Sequence, residues 1–265
     1  MRKKMKENNI KTPAFIKVSN EPETWKVEDI KFPVIVKPTD RSGSRGITKV
    51  FDKQELEQAV HYATKDSFEK KAIIEEYIEG DEYSCECISY KGKHHFLAFT
   101  KKYTTGAPNF IETGHCEPSD ISENIQDDIK ENIFKALTAL NIQNGASHTE
   151  FKIDKDGNFG IIEIGARMGG DCIGSDLVQI STGYDFVEMV IDVACGKEPN
   201  FTKTTIPTKA VIKFIFTQKD LDEMNEFVKN HKEQIYRVSK MELENLGKTV
   251  DSSTRIGYYI YTPEK

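Results

Sequence analysis

The chain has 265 residues, of which 37% are hydrophobic and 30% are charged, and its formal net charge is −6. This composition indicates a soluble globular protein with one large domain or two small ones, and its acidic balance argues against nucleic acid as the main partner. No apolar run approaches a membrane span, and the basic N-terminus lacks the apolar region of a secretory signal. Five scattered cysteines argue against a disulfide framework and predict a cytoplasmic location.

The predicted elements mix short helices with strands and hairpins. In chain order, the first half is predicted to hold a helix within 1–10, irregular chain at 14–30, strands at 33–38 and 47–51, a helix at 54–63, a strand at 72–77 and a hairpin of 83–90 with 94–101. The second half is predicted to hold a loop at 103–118, a helix at 125–140, a hairpin within 147–164, a glycine loop, a helix at 185–195 and a strand-rich part at 207–262 with a helix near 219–232. Because hairpins replace regular βαβ units, we expect an α+β fold.

Glu150 and Glu163 lie on the two strands of one predicted hairpin. Asp156-Gly157 is typical of a two-residue turn, and counting outward from it places Glu150 opposite Glu163. Directly opposed side chains lie roughly 5 Å apart, so the two carboxylates repel each other unless a cation lies between them. Mg²⁺ prefers hard oxygen ligands of this kind. The pair predicts a magnesium site. Two solvated surface glutamates, or a three-residue turn that shifts the register by one, are the alternatives.

Two further segments suggest nucleotide binding. Lys37 ends a strand and is followed by the polar loop 40–46, whose backbone N–H groups could bind phosphate oxygens while the ammonium neutralises them. The loop is neither a P-loop nor a dinucleotide-binding motif, and ordinary turns look similar. In the acidic strand–turn 75–84, the backbone at 76–78 could pair with an adenine edge and Glu82 with ribose hydroxyls. A solvated acidic turn is the alternative for this segment.

Five segments in this order resemble the ATP-grasp superfamily of carboxylate–amine ligases: FPVIVKP (32–38), DRSGSRG (40–46), IIEEYIEGDEYS (73–84), HTEF (148–151) and IIEIGARMGGD (161–171). The resemblance implies an ATP-grasp fold, in which two α+β lobes hold the nucleotide between antiparallel sheets. It implies a single domain over 1–265, with a small nucleotide-clamping lobe at about 31–78 and a large lobe with the metal site at about 79–265.

The resemblance also implies a role for each matching residue. It implies nucleotide contacts from Lys37 (α/β phosphates), the flap residues Ser42, Gly43, Ser44 and Gly46, Glu75 (adenine amino group), Glu76 and Ile78 (backbone at the base), Glu82 (ribose) and Lys101, with its neighbour Lys102 as the other choice for that last phosphate contact. Glu150 and Glu163 would hold Mg²⁺ or Mn²⁺. Arg167 would be the catalytic cation that steadies the acyl phosphate.

The implied activity is an ATP- and Mg²⁺-dependent ligation of two small molecules. A carboxylate would be activated as an acyl phosphate and then attacked by an amine, as in amino-acid or peptide ligases. His115 and His148 are further candidates for substrate contacts. Because His148 lies two residues before Glu150 on a strand, both side chains should share one face.

Two departures from the family pattern favour another function, a non-catalytic or partner-dependent ATP-binding module. Gly165 stands where relatives often carry an asparagine, so one metal oxygen would come from water, backbone or Asp171. The usual N-terminal lysine would precede Met1, and relatives carry a preceding α/β domain, so a separately encoded N-terminal domain is expected to complete the cleft. The sequence leaves a homodimer open.

Overall fold

The structure is a computed structural model that describes residues 1–27, 30–41, 43, 45–107, 110–248 and 254–264. The helices are α1 (Arg2–Glu7), α2 (Leu56–Asp66), α3 (Glu123–Ala139), α4 (Val178–Thr182), α5 (Phe186–Ala194) and α6 (Gln218–Asn230), with a π-helix at Ile173–Leu177 and 3₁₀ turns at Pro22–Thr24, Lys232–Gln234 and Leu243–Asn245. The strands are β1 (Phe15–Val18), β2 (Val34–Pro38), β3 (Thr48–Val50), β4 (Ala72–Glu76), β5 (Asp81–Tyr90), β6 (Lys93–Thr104), β7 (Glu112–Glu117), β8 (Gly145–Ile153), β9 (Phe159–Gly165), β10 (Ala210–Ile215), β11 (Ile235–Val238) and β12 (Gly257–Tyr261).

The strands form two antiparallel sheets. The small sheet has the order β1-β4-β2-β3, and the large sheet has the order β11-β12-β10-β7-β6-β5-β8-β9. This arrangement confirms the predicted α+β fold with two sheets. The small sheet includes β1, which precedes the predicted start of the small lobe at residue 31; the division of the chain near residue 78 stays a prediction. Within the described residues, no helix has the length and apolar character needed to cross a membrane.

The small sheet buries one face against α2. Val34, Val36 and Ile74 are fully buried and form a core with Leu56 and Val60 of the helix. Because side chains alternate along a strand, the residues between them face the other way. Four of these residues line a cleft between the two sheets: Ile35, Lys37, Ile73 and Glu75.

Alternation also divides the large sheet into an apolar and a polar face. The apolar face packs on α3, whose buried residues Ile129, Ile133 and Leu137 recur every fourth position and thus lie on one side of the helix. Phe151 and Ile161 are fully buried in this core. The opposite face carries charged and hydroxyl side chains on its inner strands: Glu82, Ser84, Glu86, Thr100, Lys102, His148, Glu150 and Lys152.

Two segments predicted to lack regular structure contain strands. Residues 14–30 include β1, which pairs with β4. Residues 103–118 include β7, which lies between β6 and β10 inside the large sheet. The β7 segment reads ETGHCE and has no apolar alternation. Hydrogen bonds from strands on both sides place it in the sheet, and tertiary context of this kind overrides local strand preference.

The β8–β9 hairpin brings Glu150 opposite Glu163 by a route that differs from the prediction. The turn has three residues, 155–157, because Asp154 N donates to Asn158 O at 2.9 Å, and Gly157 takes the positive φ of 83° that this turn requires. The register is therefore shifted by one. A β-bulge then leaves Ile162 without a partner and restores the pair Glu150–Glu163. The two-residue turn was wrong, and the predicted pairing is confirmed.

Glu117 is a fully buried carboxyl group on β7. It accepts hydrogen bonds from Thr100 Oγ1 and Ser181 Oγ, each at 2.5 Å. Burial outweighs these hydrogen bonds and raises the pKa of Glu117 from 4.5 to about 8. The folded protein therefore holds this proton more tightly than the unfolded chain does.

We expect the Glu117→Gln substitution to remove a pH-dependent contribution to stability. The wild-type contribution is complete below the unfolded pKa of Glu117 and is lost as pH rises towards the folded pKa near 8, at up to about 1.4 kcal/mol per pH unit. The stability of the wild type relative to the variant should therefore fall from about pH 5 to about pH 7.5 in urea unfolding. A constant difference across that range would contradict the raised pKa.

Candidate functional site

A cleft of about 770 Å³ lies between the two sheets. The small sheet contributes Lys37 and Glu75 to it, and the segment 76–78 that joins the sheets forms one wall. The large sheet contributes eight ionisable side chains: Glu82, Lys102, Glu112, His115, His148, Glu150, Lys152 and Glu163. A concave site of this size with convergent polar groups is typical of small-molecule binding.

Strand pairing arranges the polar face of the large sheet in rows. Side chains on one face recur at every second residue of a strand, so neighbouring strands place like positions side by side. Three successive rows, read from one strand to the next, are Lys102–Glu82–Lys152, Ser84–Glu150–Glu163 and Glu86–His148–Gly165. A row containing two lysines thus borders the row that contains the two opposed carboxylates.

Lys102 neutralises one member of the carboxylate pair. Its Nζ donates to Glu150 Oε1 at 2.5 Å and lies 3.2 Å from Glu82 Oε1 and 3.7 Å from Glu112 Oε1. Burial alone would lower the pKa of Lys102, but the three carboxylates outweigh it and raise that pKa. Burial likewise opposes ionisation of Glu150, yet Lys102 and His148 hold the pKa of Glu150 well below its ordinary value. Lys102 is therefore the resident counter-ion of Glu150.

Glu163, the other member of the pair, lacks equivalent neutralisation. It is exposed to the cleft, but desolvation by the surrounding protein and then the charge of Glu150 raise the pKa of Glu163. Lys37, Arg167 and Lys102 only partly offset this effect. A divalent cation placed between the two carboxylates would relieve the remaining repulsion.

These donors fit Mg²⁺ without completing its coordination. Among the described residues, no group of three or more His, Cys, Asp or Glu side chains is arranged to hold a metal ion. Mg²⁺ usually takes one or two carboxylates and fills its other positions with water and substrate phosphates, so Glu150 and Glu163 can provide the protein's share. Gly165 adds no side-chain oxygen, and Asp171 Oδ1 is already bound by Arg255 Nη1 at 2.8 Å.

His148 connects Glu150 to the buried Glu86. Its Nδ1 contacts Glu86 Oε1, and its Nε2 lies 3.2 Å from Glu150 Oε1. Burial alone would lower the pKa of His148, but the two carboxylates outweigh it and raise that pKa to about 9. Both ring nitrogens therefore carry protons near neutral pH and donate. Sequence analysis placed His148 on this face but missed Glu86, because only the pairing of β5 with β8 brings the two together.

Glu75 holds two cations at the small-sheet side of the cleft. Lys37 Nζ lies 2.9 Å from Glu75 Oε2, Arg2 Nη2 donates to the same oxygen at 2.9 Å, and Arg2 Nε contacts Oε1. Burial would raise the pKa of Glu75, but Arg2 and Lys37 outweigh it and lower that pKa. The predicted contact between Glu75 and an adenine amino group therefore meets a carboxylate that is already engaged. The structure pairs Glu75 with Lys37, and the contact with adenine stays a prediction.

Arg2 is a cleft residue that sequence analysis did not single out. Besides Glu75, its Nη1 donates to Thr12 Oγ1 at 2.6 Å and to the Ile161 carbonyl of β9 at 2.5 Å. Its side chain is only 4% exposed. The guanidinium thus joins α1, the small sheet and the large sheet.

Lys101 points away from the cleft, so its choice as a phosphate ligand was wrong. Its Nζ donates to Asp81 Oδ2 at 2.9 Å and to Asp120 Oδ2 at 2.7 Å. Adjacent strand residues face opposite sides of a sheet, and it is Lys102 that enters the cleft.

The 40–46 loop is only partly described, since Ser42 and Ser44 lie outside the described residues. Gly43 lines the cleft. Gly46 instead serves the turn: its φ is 69°, and a Cβ there would lie 2.8 Å from Pro38 Cγ. The remaining predicted residues line the cleft, where their roles stay predictions: Glu76, Ile78, Glu82 and Arg167.

A second charged cluster lies at the Asp171 end of the cleft. Arg255 Nη2 lies 3.0 Å from Glu112 Oε2, and Arg255 Nη1 lies 2.8 Å from Asp171 Oδ1. His115 Nε2 is 3.6 Å from Asp171 Oδ2, and neither ring nitrogen has a hydrogen-bond partner within the described chain. Burial lowers the pKa of His115 to about 4, so the imidazole is neutral near pH 7. Arg255 follows the recognised motifs by many residues, and no local signal marked it.

The fold and the cleft define a class of nucleotide-binding proteins that comparison identifies. A sequence profile of the ATP-grasp domain matches residues 30–176, which is more than half of the chain. The chain therefore belongs to the ATP-grasp family, and the resemblance drawn from its five segments is confirmed.

Individual relatives match only part of their own length. Alanine–anticapsin ligase of Bacillus subtilis (strain 168) is 30% identical over 195 residues, which cover 65% of this chain and 41% of that protein. D-alanine–D-alanine ligase of Thermosipho africanus (strain TCF52B) is 29% identical over 174 residues, covering 62% and 45%. The crystal structure of L-amino acid ligase from Bacillus licheniformis superposes with a TM-score of 0.78 at 25% identity, covering 100% of this chain and 66% of that one. The chain thus spans less than half the length of these two curated relatives.

We expect Arg2→Ala to destabilise the protein. The substitution leaves the buried Glu75 with one cation fewer, and removing one partner of a buried ion pair typically costs about 3–5 kcal/mol. Urea unfolding would measure the loss. Lys3→Ala is the matched control, because the Lys3 side chain is 87% exposed and surface changes usually stay within about 0.5 kcal/mol. Equal effects of the two substitutions would contradict a structural role for Arg2.

Proposed function

We propose that this chain binds MgATP between its two sheets and activates a carboxylate as an acyl phosphate for attack by an amine. The observation that carries the proposal is the directly opposed pair Glu150–Glu163 on a cleft wall, with Lys102 beside it. Opposed carboxylates are unfavourable by themselves. They become favourable when a divalent cation and a polyphosphate enter together.

The surrounding residues would bind the nucleotide in one orientation. Lys37 and Lys102 reach the cleft from opposite sheets, so a triphosphate between them would be neutralised from both sides. Glu82 and the backbone at 76–78 would receive the ribose and the base. Glu150 and Glu163 would hold Mg²⁺, which when bound neutralises the charge that develops on the transferred phosphoryl group.

The protein's own residues would position the reactants. The substrate carboxylate oxygen attacks the γ-phosphorus, the bond from phosphorus to the bridging oxygen breaks, and ADP leaves. The amine nitrogen then attacks the acyl carbon, phosphate leaves, and the amine loses its proton. Arg167 would stabilise the acyl phosphate. His115, which lines the cleft, would contact the amine substrate.

The chemistry of the Asp171 end suits amino-acid substrates. Glu112 and Asp171 line the cleft and provide anions, and Arg255, which binds both of them, provides a cation next to this wall. A substrate that carries both an ammonium and a carboxylate group could pair with both signs of charge. The relatives are ligases named for alanine and anticapsin, for D-alanine and for L-amino acids, and this supports the same substrate class for this chain.

An ATP-binding module without ligase activity is the second candidate. Gly165 favours it, because the glycine leaves the metal pair without a third side-chain oxygen. Nucleotide binding and turnover must therefore be measured separately.

We expect ATP binding to require Mg²⁺ and to depend on Glu163. Calorimetry with ATP should show binding to the wild type in the presence of Mg²⁺ and much weaker binding with a chelator. The Glu163→Gln substitution should weaken MgATP binding by about tenfold or more, because it removes one of two anionic ligands.

Glu131→Gln is the control for this measurement, since Glu131 is an exposed residue of α3 whose side chain is 66% accessible. Mg²⁺-dependent binding followed by ADP release with a carboxylate and an amine would support the ligase. Binding without ADP release would support the binding module. An affinity that ignores both Mg²⁺ and Glu163 would refute the metal site.

We expect Lys102→Ala and Lys101→Ala to differ sharply. Lys102 faces the cleft, and losing a charge-assisted contact to phosphate costs about 1.5–3 kcal/mol, or roughly 10- to 100-fold in MgATP affinity. Lys101 is the matched control, because it is the same residue type one position away on the opposite face. Calorimetry on both variants would check this expectation, and a larger effect at Lys101 would reverse the assignment.

A further inference from the structure

We propose that Glu86 and His148 are positioning residues, which hold the metal ligand Glu150 in one orientation and tie it to the loop that carries Arg167. This inference rests on the proposed function, because it concerns how the two-carboxylate site is kept in shape. Neither residue needs to touch the metal or the nucleotide.

The His148 ring is held in one orientation. Both of its nitrogens are engaged, Nδ1 with Glu86 Oε1 and Nε2 with Glu150 Oε1 at 3.2 Å. Glu86 is fully buried and His148 is 4% exposed. Rotation of the ring about its χ2 bond would break both contacts in a site that water hardly reaches. Glu86 and His148 therefore hold each other in a fixed geometry.

The hydrogen bonds to Glu150 use only one of its two carboxylate oxygens. Within the described part of the chain, its two side-chain hydrogen bonds, from Lys102 Nζ and His148 Nε2, both end on Oε1. The carboxylate plane is thereby held from one side. The second oxygen, Oε2, is left for another ligand, as a metal-binding carboxylate requires.

Glu86 also connects the metal ligand Glu150 to the glycine-rich loop. Glu86 uses its other oxygen, Oε2, to accept the Gly169 N–H at 2.9 Å. The loop packs so closely here that a Cβ at Gly169 would lie 2.8 Å from Glu86 Oε1 and 3.0 Å from His148 Nδ1. Arg167 lies two residues before Gly169, so one buried carboxyl group sets the positions of both Glu150 and the Arg167 loop.

A purely structural role predicts a different result. If Glu86 and His148 only stabilised the fold, their replacement would lower unfolding free energy without changing metal affinity in the folded protein. Residues that orient a metal ligand typically change metal affinity by about 10- to 100-fold when replaced. Metal affinity in the folded state therefore separates the two explanations.

The experiment titrates Mn²⁺, as a substitute for Mg²⁺, into the protein saturated with a non-hydrolysable ATP analogue, and follows free Mn²⁺ by electron paramagnetic resonance. The variants are Glu86→Gln and His148→Gln, singly and together. Glu117→Gln is the matched control, because Glu117 is an equally buried glutamate of the same sheet that binds Thr100 and Ser181 instead. Metal-free binding of the analogue, measured in chelator, and urea unfolding are recorded for every variant.

We expect each single variant to bind Mn²⁺ roughly 10- to 100-fold more weakly than the wild type and to bind the metal-free analogue with little change. The double variant should be no worse than the poorer single variant, since both residues act through one connection. Glu117→Gln should bind Mn²⁺ as the wild type does. If one variant fails to fold, the other still decides the question.

The proposal is overturned if folded variants retain wild-type Mn²⁺ affinity, or if Glu117→Gln weakens it equally. Failure of the proposed function looks different: the wild type itself would then take up no Mn²⁺ with the analogue, and the positioning role would fall with it.

Discussion

Strand register in the large sheet is the constraint on which the cleft depends. The inner strands bury apolar side chains against α3 on one face and present charged side chains to the cleft on the other. A slip of one residue would exchange the two sets, so that Phe151 would enter the cleft and Glu150 the core. The bulge at Ile162 shows how this constraint is met. It corrects, at the carboxylate pair, a register that the turn at Gly157 sets differently.

Within that register, two carboxylates organise the positive charges of the cleft. Glu150 receives Lys102 and His148, and Glu75 receives Lys37 and Arg2. Ion pairs of this kind contribute little net stability compared with well-packed apolar residues, but their geometry is specific. Each anion fixes the position of one lysine that reaches the cleft. A polyanion bound between the sheets would therefore meet one positioned lysine on each side.

Elements that depend on local sequence patterns could be predicted, whereas contacts between residues distant in the chain could not. The helical spacing of Ile129, Ile133 and Leu137 identified α3, and alternation around Glu150 identified β8. For Lys101 and Lys102 the pattern located the strand but not which face each lysine takes, because a bulge at Leu97 of β6 disturbs the alternation. The strand β7 and the role of Arg255 were not predicted. The sequence-distant β10 holds β7 on one side, and the folded C-terminal part brings Arg255 to Asp171.

Arg2 joins the two sheets at one point, because its guanidinium binds Glu75 of β4 and the Ile161 carbonyl of β9. Any swing of one sheet relative to the other must either break these bonds or turn about them, and turning keeps a buried guanidinium satisfied. The guanidinium would thus be the pivot of such a motion. In such a rotation, parts of the small sheet far from Arg2 would move most. Glu75 and Lys37, which lie close to the guanidinium, would move least. Lys37 would then keep its position relative to β9 in both a wide and a narrow cleft.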